Sequence, residues 1–147
     1  TGEPEWRPVS PIPWDYRVFG GAGSASEPDD RLSLVFQSPN NGHRWTINGK
    51  SHPRTDDIVV DAHRRYRWVL DNQSAHPHPI HLHRHTFDVV RIAGAPCSGI
   101  RKDVVVVPAW QQVEVDVSAS HPGLSLLHCH QQLHMDMGFM ALMRYSS

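Results

Sequence analysis

Seven candidate metal ligands, His78, His81, His83, His128, Cys129, His130 and His134, fall in two short stretches, HPIHLHRHTF from His78 to Phe87 and HCHQQLHMDMGFM from His128 to Met140. A fold that uses them must bring two segments about fifty residues apart into one place. In an extended strand successive side chains point to opposite faces, so in His128-Cys129-His130 the thiol faces one way and both imidazoles the other. One metal does not easily take all three. The tripeptide therefore reads as a bridge between two metal sites, a thiolate serving one and two imidazoles the other, and such a bridge would carry electrons.

His134 lies far enough beyond Cys129 for the chain to leave the strand, turn and present an imidazole to the same metal as the thiolate. His78 supplies a second nitrogen. Two imidazoles and one thiolate, with a weak or absent axial ligand, make a blue-copper electron-transfer site, because soft sulfur suits cuprous copper and imidazole suits both oxidation states. His81 and His83 share a strand face, as do His128 and His130, and the two pairs can face each other. Four imidazoles converging without a thiolate suit a hydroxide-bridged or oxygen-binding copper site.

The two motifs resemble the C-terminal copper motifs of multicopper oxidases, the laccase and ascorbate-oxidase family, and HRWTINGKSHP and KDVVVVPA are similar to the final cupredoxin domain of bacterial three-domain laccases. The resemblance runs from about Trp14 onward. It implies type 1 copper ligands at His78, Cys129 and His134, a type 2 ligand at His81, and type 3 ligands at His83, His128 and His130. Electrons would then pass from Cys129 through His128 and His130 to a trinuclear cluster where dioxygen becomes water, with a phenol, aromatic amine or metal ion as the reducing substrate. Two departures stand out. Arg84 occupies a position where the family usually has Gly. The usual axial position, after Gly138, holds Phe139, which lines the site but cannot ligate; Met140, one residue further on, is the alternative axial donor.

Length is the next constraint. The family builds its cluster from eight histidines, half from the last domain and half from the first, and 147 residues make one domain's worth of sequence. No HWHG-like segment is present, and His43, His52, His63, His76, His85 and His121 are scattered. The chain is expected to be the C-terminal third of a larger oxidase, needing N-terminal cupredoxin domains or a partner subunit, and to self-associate or bind that portion through the face carrying His81, His83, His128 and His130. An extracytoplasmic location is implied by the resemblance alone.

Formal net charge is −1 and no apolar run reaches the roughly 20 residues that span a bilayer. Membrane and nucleic-acid roles find no support. Residues 1–30, rich in Pro, Gly and Ser, read as a linker without a regular element, and residues 31–147 as the cupredoxin domain. Short β-rich runs follow at 31–37, 44–47, 57–61, 66–71, 86–93, 104–107, 112–117, 124–128 and 139–145, with turn signals between them. They predict an all-β, Greek-key β-sandwich of cupredoxin type with one short helical turn at about 131–137.

Other conspicuous residues have plainer readings. Arg64, Arg65 and Arg67 read as a solvated strand edge, His85 as a packed or hydrogen-bonded histidine, and His76 and His121 as loop residues. The four methionines and five tryptophans read as core. Cys97 reads as a loop or core thiol, a Cys97–Cys129 disulfide being the alternative. Asp88, Asp103 and Asp136 are candidates for orienting the ligand imidazoles. Two functions of other kinds compete with the oxidase domain: a stand-alone blue-copper carrier with an incomplete second site, and a zinc module, since Cys and His also bind zinc.

Overall fold

The computed structural model describes residues 16–21 and 25–146. Most of the segment read as a linker, residues 1–15 and 22–24, lies outside the described residues, as does Ser147. Among the described residues eleven strands and one short α-helix follow in order: β1 Asp30–Gln37, β2 Thr46–Ile47, β3 Ile58–Val60, β4 Arg65–Asn72, β5 His78–Leu82, β6 Phe87–Ile92, β7 Ala95–Lys102, β8 Val104–Val107, β9 Gln112–Ser118, β10 Ser125–Cys129, α1 Gln132–Asp136 and β11 Met140–Tyr145. A 3-10 turn at Tyr16–Phe19 falls inside the stretch expected to lack regular structure. Its end is tied to β7 through the Gly21 N–H donating to the Ser98 carbonyl at 2.9 Å.

The strands form two sheets, one in the order β2-β1-β4-β9-β6-β7 and the other β3-β11-β10-β5-β8. All pairings are antiparallel except β1 with β4 and β11 with β3. Alternation supplies the core. Val113, Val115 and Val117 of β9 point inward against Trp68 and Leu70 of β4, and Ile80, Leu82 and Leu127 meet them from the other sheet. The expected all-β sandwich is the observed fold, and the helical turn expected at about 131–137 is α1. No helix among the described residues is long and apolar enough to cross a membrane.

Two strands lie outside the β-rich runs expected from composition. β5 is short and is built of ligand histidines and a proline, so its composition hides a burial that alternates strictly along His78–Leu82. β7 carries Pro96 and Gly99 and pairs with β6 through a two-residue turn, Ala93-Gly94, with φ of 47° and 80°, the twist that tight hairpins require.

The arginine cluster is not a solvated edge. Arg67 is buried because its register partner on β9 is Asp116, itself 1% exposed, and the guanidinium meets both carboxylate oxygens at 2.8 and 3.1 Å. Arg65 reaches the same carboxylate, while Arg64 stays outside and pairs with Asp61. Nor do all tryptophans and methionines fill the core. Trp45, Trp68 and Met143 do, but Trp110 is 65% exposed and Met137 36%.

Candidate metal centres

The ladder between β5 and β10 fixes both candidate centres. Their antiparallel register pairs Cys129 with Ile80 and His128 with His81. Ile80 faces the core, and His78, two residues away, shares its side; Cys129 does too. His81 and His128 occupy the opposite face, and His83 follows His81 with the same parity. A one-residue slip of this register would send each side chain to the wrong face.

On the inner face, Cys129 Sγ lies 3.8 Å from His78 Nδ1 and 3.6 Å from His134 Nδ1, and the two nitrogens are 3.2 Å apart. A point equidistant from the three atoms lies about 2.1 Å from each, the length of a metal bond to imidazole nitrogen and a little short of the roughly 2.3 Å of one to thiolate. His134 returns to the thiol because α1 turns the chain directly after β10. The hydrogen bonds select the tautomer. His78 Nε2 is 2.9 Å from Ser74 Oγ, which itself donates to Asn72 Oδ1, so the ring donates from Nε2 and leaves Nδ1 free for a metal. Phe139 closes this site: fully buried, its ring stands 4.9 Å from that of His78 and 5.8 Å from that of Trp45. Trp45 lies 4.3 Å from the His134 ring and 4.6 Å from the His78 ring. Met140 pairs in register with His128, not with Cys129.

Burial sets the protonation. It pushes His78 down to about 3, helped by His134 and His76, and lowers His134 as well. It raises the Cys129 thiol to about 11. Two neutral imidazoles and a thiol that ionises only for a cation are a donor set suited to a soft, positively charged metal.

On the outer face, the ligand-capable atoms of His81, His83 and His128 lie within 4.8 Å of one another. His83 Nε2 and His128 Nε2 are 3.0 Å apart. His81 donates from Nδ1 to the Asp103 carbonyl at 2.7 Å, and His128 from Nδ1 to the Cys129 carbonyl at 2.9 Å, so both present Nε2 to the shared space. His130, exposed just past the end of β10, stands at the rim, its ring 5.8 Å from His81 and 5.7 Å from His128. Burial also lowers His128. His83 and His130 are open to solvent on this face.

The orienting groups differ from the three carboxylates considered. Asp103 acts through its main-chain carbonyl, whereas the Asp88 carboxylate binds Arg101 and that of Asp136 accepts from Gln132. Ser74 went unnoticed, and only its position four residues before His78 hinted at it. His85 is packed as expected, donating to the His83 carbonyl at 3.0 Å and accepting from the Tyr145 hydroxyl at 3.1 Å. No disulfide joins the cysteines; the Cys97 thiol donates to the Val89 carbonyl.

Comparison with known proteins identifies the family. Residues 26–147 match the family model described as multicopper oxidase. The multicopper oxidase MmcO of Mycobacterium tuberculosis is 31% identical over 150 residues, covering 97% of this chain and 29% of the relative. A laccase of Pycnoporus cinnabarinus is 38% identical over 167 residues, covering 93% and 31%. This chain thus spans about a third of the length of those relatives. Among solved structures, the blue copper oxidase of Nitrosomonas europaea superposes with a TM-score of 0.69 at 26% identity, over 78% of this chain and 43% of that one. Fet3p, a multicopper oxidase that functions in iron import, gives 0.78 at 18% identity over 99% and 38%, a likeness of fold. With its two-sheet cupredoxin sandwich and its paired His/Cys/His and three-histidine groups, the chain belongs to the multicopper oxidase family.

Proposed function

We propose that this chain is the copper-binding C-terminal domain of a laccase-like oxidase, in which His78, Cys129 and His134 hold a type 1 copper and His81, His83, His128 and His130 supply half the imidazoles of a trinuclear centre. The observation that carries the reading is the division of ligands by face of one β5/β10 ladder, with Cys129 and His128 adjacent in sequence but belonging to different groups. Copper bound there supplies one-electron redox chemistry, four electrons and four protons converting one dioxygen to two waters. His78 and His134 approach as neutral rings, Phe139 and Trp45 exclude water from the thiol, and Ser74 holds the His78 tautomer. On the other face the Asp103 and Cys129 carbonyls hold His81 and His128 with Nε2 outward, and the exposure of His83 and His130 suits completion by histidines of another domain or subunit.

Phe139, which carries no donor atom, packs against the His78 ring, and one soft thiolate with two neutral imidazoles suits copper. Metal content and the absorption spectrum of the full-length protein test the reading. About four coppers per functional unit, dioxygen uptake, and an intense thiolate-to-copper band abolished by Cys129→Ser are expected. A colourless zinc protein, or one copper per chain without dioxygen uptake, overturns it.

A further inference from the structure

A polar cavity of about 240 Å³ is walled by the loop after β5, the β6/β7 ladder and the chain leaving β9, and no candidate metal ligand lines it. Arg84 sets its charge. The residue is held at φ +64°, a conformation unfavourable for an L side chain, and its guanidinium is bolted to the Pro122 and Leu124 carbonyls at 2.9 and 3.3 Å. Both partners are neutral, so they fix the direction of the group without cancelling its charge, and they occupy only part of its donors. Among the described residues no carboxylate pairs with it. The one carboxylate lining the cavity, Asp88, is taken: Arg101, opposite it in register, grips both oxygens at 2.7 and 3.2 Å. Thr86 and Ser118 line the same space, and their hydroxyls bond no described residue. The positive field reaches the adjoining ring, since His85, lowered first by burial, is lowered further by the charges of His121 and Arg84. Backbone strain of the kind seen at Arg84 persists where the surroundings over-determine it, and it gathers at ligand clamps.

From this we infer that the cavity binds a free tetrahedral oxyanion, inorganic phosphate or sulfate, held by the Arg84 fork, the Thr86 and Ser118 hydroxyls and the donors of Arg101 that Asp88 leaves unused. An oriented cation with neutral hydroxyl donors around it meets such an ion by charge-assisted hydrogen bonds, and the volume admits it with part of its water. Arg84 follows His83 directly, so a bound anion ties down the loop that carries one imidazole of the outer-face group. The site stands apart from the oxidase reading, because none of its residues belongs to either donor group.

Inorganic phosphate is the probe, titrated by calorimetry into the protein in low salt, with copper present and after its removal. Saturable binding of one phosphate per chain is expected in both states, and half-molar sodium chloride is expected to weaken it about tenfold. R84Q, which removes charge and fork together, should weaken binding about tenfold, the effect of losing a hydrogen bond to a charged group. R84K keeps the charge without the fork and should fall between. D88N should act in the opposite sense and tighten binding several-fold, because it removes the lining carboxylate and frees Arg101. That variant leaves the Arg84 contacts intact, so it decides the matter even where R84Q folds poorly. Phosphate binding that is absent, that requires copper, or that is equal in wild type and D88N overturns the site. Glycerol 3-phosphate is expected to bind more weakly than phosphate; tighter binding by the ester overturns the free ion as the guest.

Discussion

Cys129 and His128 are neighbours in sequence that face opposite ways, and the His128 ring bends back to donate from Nδ1 to the Cys129 carbonyl at 2.9 Å. Thus the two donor groups are joined both through the His128–Cys129 backbone and through one hydrogen bond at the end of β10. The same device recurs at each well-oriented imidazole: the nitrogen turned away from the centre is occupied by a hydroxyl or a carbonyl, leaving the other as a lone pair.

Ser74 offers a test of that device at the thiolate-containing site. Ser74→Ala removes the acceptor for His78 Nε2–H in a fully buried position, so the ring loses its fixed tautomer. Copper affinity there should fall about 10–100-fold, and the chain should lose about 1–2 kcal/mol through the unsatisfied group. Ser74→Thr, which keeps the hydroxyl, should recover most of both. A competitive chelator titration reads the first effect and urea unfolding the second; unchanged affinity in the alanine variant would show that packing against Phe139 and Trp45 alone orients His78.

The sandwich was legible because Gln112–Val117 alternates cleanly and turn residues punctuate the chain at short intervals. The ligand spacing was legible too, since strand parity alone assigns Cys129 and His128 to opposite faces. What escaped was set by tertiary context. β5 has the wrong composition for a strand and is held by β10 and β8 on either side. Arg67 looked like surface until β9 placed Asp116 opposite it. The orienting groups are mostly main-chain carbonyls, which carry no signature in sequence.

Acid should unfold the metal-free chain earlier than its surface charge suggests. His78 has a folded-state value of about 3, below the ordinary histidine value of 6.5, because of burial. Between those limits the unfolded chain binds the proton and the folded chain does not, so stability is fully present above about 6.5 and is lost as pH falls towards about 3. His134 and His128 are shifted the same way and add to the slope. The expected loss is on the order of a few kcal/mol. The urea midpoint should fall steadily from pH 7 to pH 4; a flat profile would mean that these rings protonate freely inside the fold.

The Arg67–Asp116 pair predicts a large stability effect remote from either metal site. Asp116→Ala leaves the Arg67 guanidinium, only 7% exposed, without its carboxylate. Removing one partner of such a pair costs about 3–5 kcal/mol. Replacing both residues by apolar side chains of similar size should restore part of it, because Arg67 is no longer orphaned while Arg65, 30% exposed, still loses the shared carboxylate. Denaturant unfolding of the single and double variants decides this, and a single-variant loss under about 1 kcal/mol would indicate that water reaches Arg67.

Arg84 gives a prediction about the departure from the usual glycine. Its φ is +64°, a conformation that costs an L-residue about 1–2 kcal/mol and glycine almost nothing. The residue is held there by its guanidinium, which donates to the Pro122 carbonyl at 2.9 Å and the Leu124 carbonyl at 3.3 Å, tying the loop after β5 to the strand entry of β10 beside His83. Arg84→Ala keeps the strain and loses both bonds, so it should destabilise by about 1–2 kcal/mol. Arg84→Gly loses the same bonds but relieves the strain, and should unfold at a higher urea concentration than the alanine variant by an equivalent of about 1 kcal/mol. The order of the two midpoints is the discriminating result. If glycine proves no better than alanine, the backbone at residue 84 is not under strain, and the arginine's contribution is its two hydrogen bonds alone.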